Sequence, residues 1–118
     1  MSGVRPPAEL AWLTDVIGAA ATLVLIEARG GTRVYVPHAT RTDTPLVREI
    51  GLDAARKLAD AFAGNVISVP VARAWRVRHY RAGGLSYAAI AHKLGCHEDT
   101  VWRLLRSTDK PEQFSLAV

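Results

Sequence analysis

Residues 17–37 and 50–70 repeat one another at a constant offset of 33, and this duplication constrains the fold more than any other feature of the chain. Ile17, Gly18, Ala21, Leu25, Ala28, Gly31, Val36 and Pro37 recur as Ile50, Gly51, Ala54, Leu58, Ala61, Gly64, Val69 and Pro70. Four-residue spacing (Ala21 and Leu25, then Ala54, Leu58 and Phe62) predicts a helix with one buried face, running to a glycine stop. The β-branched runs Arg33-Val34-Tyr35-Val36 and Val66-Ile67-Ser68-Val69 predict a short strand in each copy. Pro37 and Pro70 end those strands, since proline cannot donate to a ladder. Thr44-Pro45 supplies a cap and a first-turn proline for the second helix. Ankyrin repeats share the offset but carry two helices and no such strand, and two copies would not make a stable stack. One helix and one short strand cannot bury their apolar surface alone. Each strand needs a partner, either from the other copy or from a second chain.

Length and charge narrow the function. A chain of 118 residues builds one or two small domains but no large enzyme pocket. Residues 1–70 hold seven basic and seven acidic side chains, whereas 71–118 hold eight basic and four acidic, so the net +4 lies in the carboxyl half. A localised positive excess suits a phosphate backbone. The longest strongly apolar run, Val16 to Ile26, reads as too short to cross a bilayer and lies too far from a basic amino terminus for a signal peptide. It is expected to be a buried helix, with no membrane partner. A single cysteine, Cys96, excludes an internal disulfide and fits a reducing, cytoplasmic setting.

Ser86 to Arg106 is the stretch richest in information. Ser86 is a natural N-cap after Gly83-Gly84, and Tyr87, Ile90, Ala91 and Leu94 form one apolar stripe. Gly95 follows Ala91 by four residues and allows the positive φ of a tight turn. Val101 comes six later and, with Leu104 and Leu105, gives a second helix its buried face, while Cys96 fits the inward turn position. This pattern is the signature of a helix-turn-helix. The reading surface is then Asp99, Trp102, Arg103 and Arg106, with His97 and Glu98 at the helix start. Arg103 either pairs with guanine or grips a phosphate, and Arg106 is placed for a backbone contact. Trp102 meets a thymine methyl or sugar, or else is partly buried. Glu98 and Asp99 suit the helix amino-terminal dipole better than cytosine recognition, and Thr100 serves a phosphate or the helix start. Upstream, Ala72 to Ala82 predicts a helix with an apolar side (Trp75 or Val77 with Tyr80) and a basic side that includes Arg73 and Arg76. The basic side faces DNA or is simply solvated.

Ile50 to Arg106 resembles the Mor family of transcription activators from Mu-like phages and prophages. The resemblance runs through Ile50-Gly51, the helix Ala54 to Phe62, Gly64, the strand ending Val69-Pro70, the basic helix and Ser86 to Arg106. It implies a homodimer with intertwined helices and strands, its interface carried by Leu25, Leu58, Phe62, Val66, Ile67 and Val69. It implies two reading heads on a dyad-symmetric promoter site, double-stranded DNA as ligand and the host RNA polymerase as partner. Glu98 to Arg106 would be the recognition helix.

The expected fold is mainly α with short β-strands. Residues 1–70 form a dimerisation region, 71–106 a three-helix helix-turn-helix domain and 107–118 a tail that is either flexible or polymerase-contacting. No phosphate-binding glycine loop, HExxH or nucleophile–base pairing appears, so no enzyme and no cofactor are expected. His92, Cys96 and His97 cluster without a fourth ligand, which argues against zinc. The expected function is sequence-specific transcriptional activation in a bacterial host cell. A repressor or autoregulator would use the same chemistry, and a protein-interaction module is the alternative from another class.

Overall fold

The computed structural model describes residues 6–38 and 44–108. The chain is mainly helical with one two-stranded sheet, in the order α1 (Ala8–Arg29), β1 (Arg33–Tyr35), α2 (Pro45–Ile50), α3 (Leu52–Phe62), β2 (Val66–Ser68), α4 (Arg73–Ala82), α5 (Tyr87–Leu94) and α6 (Glu98–Thr108). Two compact units part between Val71 and Ala72. Most of the tail assigned to 107–118 lies outside the described residues.

In the first unit the sequence repeat becomes a structural one, and each copy is a pair of helical segments rather than one helix. Gly18 interrupts α1 at φ 84°, ψ 162°, and Gly51 separates α2 from α3 at φ 91°, ψ 159°. This region of backbone space is open almost only to glycine, so the repeated Ile-Gly pair marks a joint. The second copy starts at the Thr44 cap, whose hydroxyl accepts the Val47 N–H at 3.3 Å, with Pro45 at the first turn.

The strands settle which partner each copy uses. β1 pairs antiparallel with β2 of the same chain, with Val34 opposite Ile67, Arg33 opposite Ser68 and Tyr35 opposite Val66. Val34 and Ile67 are equivalent positions at the offset of 33, so a local two-fold axis passes between them. The flanking hydrogen bonds obey it. Gly31 N–H donates to Val69 O at 2.8 Å and Gly64 N–H to Val36 O at 2.7 Å. Val36 N–H donates to Asn65 O and Val69 N–H to Thr32 O, both at 2.9 Å. Burial follows the same symmetry: Leu13 with Leu46, Leu25 with Leu58, and Val36 with Val69 are buried pairs.

Most of the residues expected at a dimer interface pack within their own chain. Leu25, Leu58, Ile67 and Val69 are buried within their own unit, and Phe62 is half-buried with its ring 5.4 Å from that of Trp12. Of the six residues assigned to a dimer seam, only Val66 is exposed. Within the chain, each copy supplies the strand and apolar face that the other lacks alone.

The apolar run is also part of a longer helix than the sequence indicated. Among the described residues α1, at 22 residues, is the one helix long and apolar enough by length and composition to cross a membrane. The break at Gly18 leaves each half well short of the ~20 residues a straight span needs. Leu10, Leu13, Ile17, Leu25 and Ile26 are buried, and α1 packs on α2 and α3.

Two outcomes test this account. Gly51→Ala brings its Cβ within 4 Å of nothing, so any loss is backbone strain. Denaturant unfolding should show a loss of about 1–3 kcal/mol, and an unchanged midpoint would remove the joint from the argument. Thr22 is fully buried with no partner for its hydroxyl, and its equivalent in the second copy is Ala55. Thr22→Val keeps the shape and should stabilise the chain by about 1 kcal/mol in the same measurement.

Candidate nucleic-acid interface

The second unit is built on a small apolar centre. Trp75, Val77 and Tyr80 of α4, Ile90 and Ala91 of α5 and Val101 of α6 are its buried side chains, and each of the three helices contacts the other two. α4 buries all three apolar residues that its spacing offered as alternatives. Its first turn is preceded by Ala72 in the left-handed conformation (φ 50°, ψ 46°), unusual for a residue with a side chain. Arg81 closes the α4–α5 corner by donating to Leu85 O at 2.9 Å, and Leu85 N–H returns to Tyr80 O at 3.1 Å.

Ser86 caps α5, its hydroxyl accepting the Ala89 N–H at 3.1 Å. Gly95 ends that helix at φ 67°, ψ 38°, and Cys96 N–H donates to Ala91 O at 3.0 Å. His97 lies just before α6, and its carbonyl accepts from Thr100 N–H at 3.0 Å, opening the helix. A short connection therefore fixes α6 against α5, with Ala91 buried where the two approach.

The outer face of α6 is the candidate site. Glu98, Asp99, Trp102, Arg103 and Arg106 are all exposed along it, and His97 is exposed just before it. Thr100 is half-buried and accepts from the Arg103 guanidinium at 3.2 Å, so it braces an arginine as well as sitting at the helix start. Trp102 is 51% exposed, yet its ring stands edge-on to Tyr87 of α5 at 4.5 Å between centroids. Arg81 lies over the same Tyr87 ring at 5.0 Å. Cation, tyrosine and tryptophan thus form a continuous stack that holds Trp102 in place while leaving much of it open.

Arg73 and Ser86 are exposed. Arg76 is half-buried, donating twice to the Tyr80 hydroxyl at 3.2 Å, which ties it to its own helix. Tyr87, read from its spacing as a core residue, is only half-buried and works as the platform for Trp102. Arg81 and Lys93, whose ammonium lies 5.1 Å over the Tyr80 ring, add positive charge that a helix-by-helix reading did not single out. The signal for Arg81 and Tyr87 was their join to Trp102, which appears only once α4, α5 and α6 are packed. Among the described residues no cluster of three or more His, Cys, Asp or Glu side chains is arranged to hold a metal.

Compared with known proteins, the chain matches no family model, no curated protein and no solved structure. The Mor resemblance therefore rests on the residues that carry it.

Inside the unit, His79 packs edge-on against Trp75 at 4.3 Å, and its Nε2 is buried without a partner. Burial pushes its imidazolium below the ordinary value of 6.5. The unfolded chain then binds the proton more readily than the folded one. Stability is complete above about pH 6.5 and falls as pH drops below it. His79→Phe should flatten that acid-side loss in urea unfolding followed between neutral pH and pH 5. An unaltered slope would place the titration elsewhere.

Proposed function

We propose that this chain is a sequence-specific duplex-DNA-binding transcription regulator, with α5 and α6 as a helix-turn-helix and α6 as the helix that enters the major groove. The observation that carries the reading is the outer face of α6. It offers Arg103, Arg106 and a braced, half-open Trp102 in one line, on a helix fixed by a buried Val101 and a left-handed Gly95. An exposed tryptophan held by a tyrosine suits an apolar base edge such as a thymine methyl, and Arg103 suits a guanine edge. Arg106, one turn on, suits a phosphate. Glu98 and Asp99 complement the amino-terminal dipole of α6.

The Mor resemblance extends the proposal to activation of phage or prophage promoters together with the host RNA polymerase, in the bacterial cytoplasm. Repression would use the same contacts and differ only in where the site lies relative to the promoter.

Arg103→Ala should weaken binding to the selected site by roughly 5- to 150-fold and relax preference at one base pair, the range for losing a bidentate base contact. Arg106→Ala should weaken binding to all duplexes alike and reduce the slope of log affinity against log salt by about one. Both variants should melt like the parent, because both side chains are exposed. Folded Arg103→Ala with unchanged site preference would reject this face. Absence of duplex affinity even at low salt would favour a protein-interaction module.

A further inference from the structure

The two-fold relation within residues 6–71 bears on how many reading heads meet the DNA. In an isologous dimer, residue i of one protomer contacts j of the other and j contacts i. This chain satisfies that relation with itself. Gly31 bonds Val69 and Gly64 bonds Val36, while Val34 faces its own equivalent Ile67. The surface that a second chain would occupy is already filled by the second copy.

The copies have also diverged so that like no longer fits like. Position 29 and its equivalent 62 each reach across to the leading helical segment of the other copy. Arg29 pairs with Glu49 at 2.9 Å, and Phe62 meets Trp12 edge-to-face at 5.4 Å between centroids. The equivalent of Glu49 is Val16, and the equivalent of Trp12 is Pro45. Pairing two first copies from different chains would set Arg29 against Val16. Pairing two second copies would set Phe62 against Pro45, which has no ring to meet it. The charge and the ring find their partners only when a first copy meets a second copy. The α4–α6 unit, by contrast, occurs once among the described residues.

We infer that residues 6–71 are a closed single-chain pseudo-dimer, and that the protein is a monomer presenting one reading head to one contiguous, non-palindromic duplex site. This rests on the DNA-binding reading for its ligand and on the repeat for its stoichiometry.

The test uses the full chain in two measurements. Sedimentation velocity from dilute to concentrated solution should give the chain mass of 12.8 kDa throughout. Selection from a random duplex library should recover one asymmetric block, with one chain per duplex by sedimentation of the complex. Twice the chain mass in free solution would overturn the proposal whatever DNA is selected. A monomer in solution that recovers an inverted repeat, with two chains per duplex, would overturn the single-site claim and leave the DNA-binding reading standing. A monomer that enriches no duplex would overturn the proposal together with that reading.

Discussion

The pairing of β1 with β2 is the contact on which the first unit depends. Each strand has three residues, too few to persist without a partner, and the helix before it has an apolar face that one copy cannot cover. Placing Val34 opposite Ile67 meets both needs together. It pairs the N–H and C=O groups along the facing edge of each strand and brings Leu25 and Leu58, equivalent and fully buried, into one core. The four flanking hydrogen bonds lengthen the ribbon beyond the six residues of the strands, which explains how so short a sheet can organise the unit. Gly18 and Gly51 matter for the same reason: each bends a leading segment away from its following helix, and residues in those segments, Trp12 and Glu49, meet Phe62 and Arg29 of the other copy.

The second unit achieves precision by a different route. Its buried side chains are few, and local links supplement them: the Ser86 cap, the Arg81–Leu85 bond and the Cys96–Ala91 bond. The last of these lies just before α6, at the end where base-reading side chains of a groove-bound helix are usually found. Exposed side chains on such a helix lose rotamer freedom on binding DNA. Thr100 under Arg103 and Tyr87 under Trp102 restrict them beforehand.

Much of this was legible in the sequence because the signals were local. The Thr44 and Ser86 caps, the Gly95 turn, the strand stops at Pro37 and Pro70, and the burial of Trp75, Val77 and Tyr80 each follow from a few neighbouring residues. The features that escaped are those in which local evidence is ambiguous. A glycine inside a helical pattern is ordinarily tolerated, so Gly18 and Gly51 did not announce a break, although their recurrence as Ile-Gly was the available sign. Tyr87 falls on an apolar stripe and reads as core, but it lies at the start of α5, where the stripe runs out from under the neighbouring helix. The strand partner was undecidable from one copy of the pattern, since a second repeat and a second chain offer the same chemistry.

Charge adds a constraint of its own. Residues 1–70 are balanced, seven basic against seven acidic, and the whole excess of +4 lies beyond them. A neutral unit offers no net attraction to a phosphate backbone, so on the proposed DNA-binding reading electrostatic affinity would come from the unit that carries α6. Arg73, Arg81, Lys93, Arg103 and Arg106 are its exposed candidates, spread over all three helices of that unit. A single head of the kind proposed, with this many cations, would gain much of its affinity from phosphates and correspondingly less from sequence. Selectivity would then fall on the few groups suited to base edges. Trp102 and Arg103 are the two with the right chemistry, and each is held by a neighbour that leaves its outer edge open.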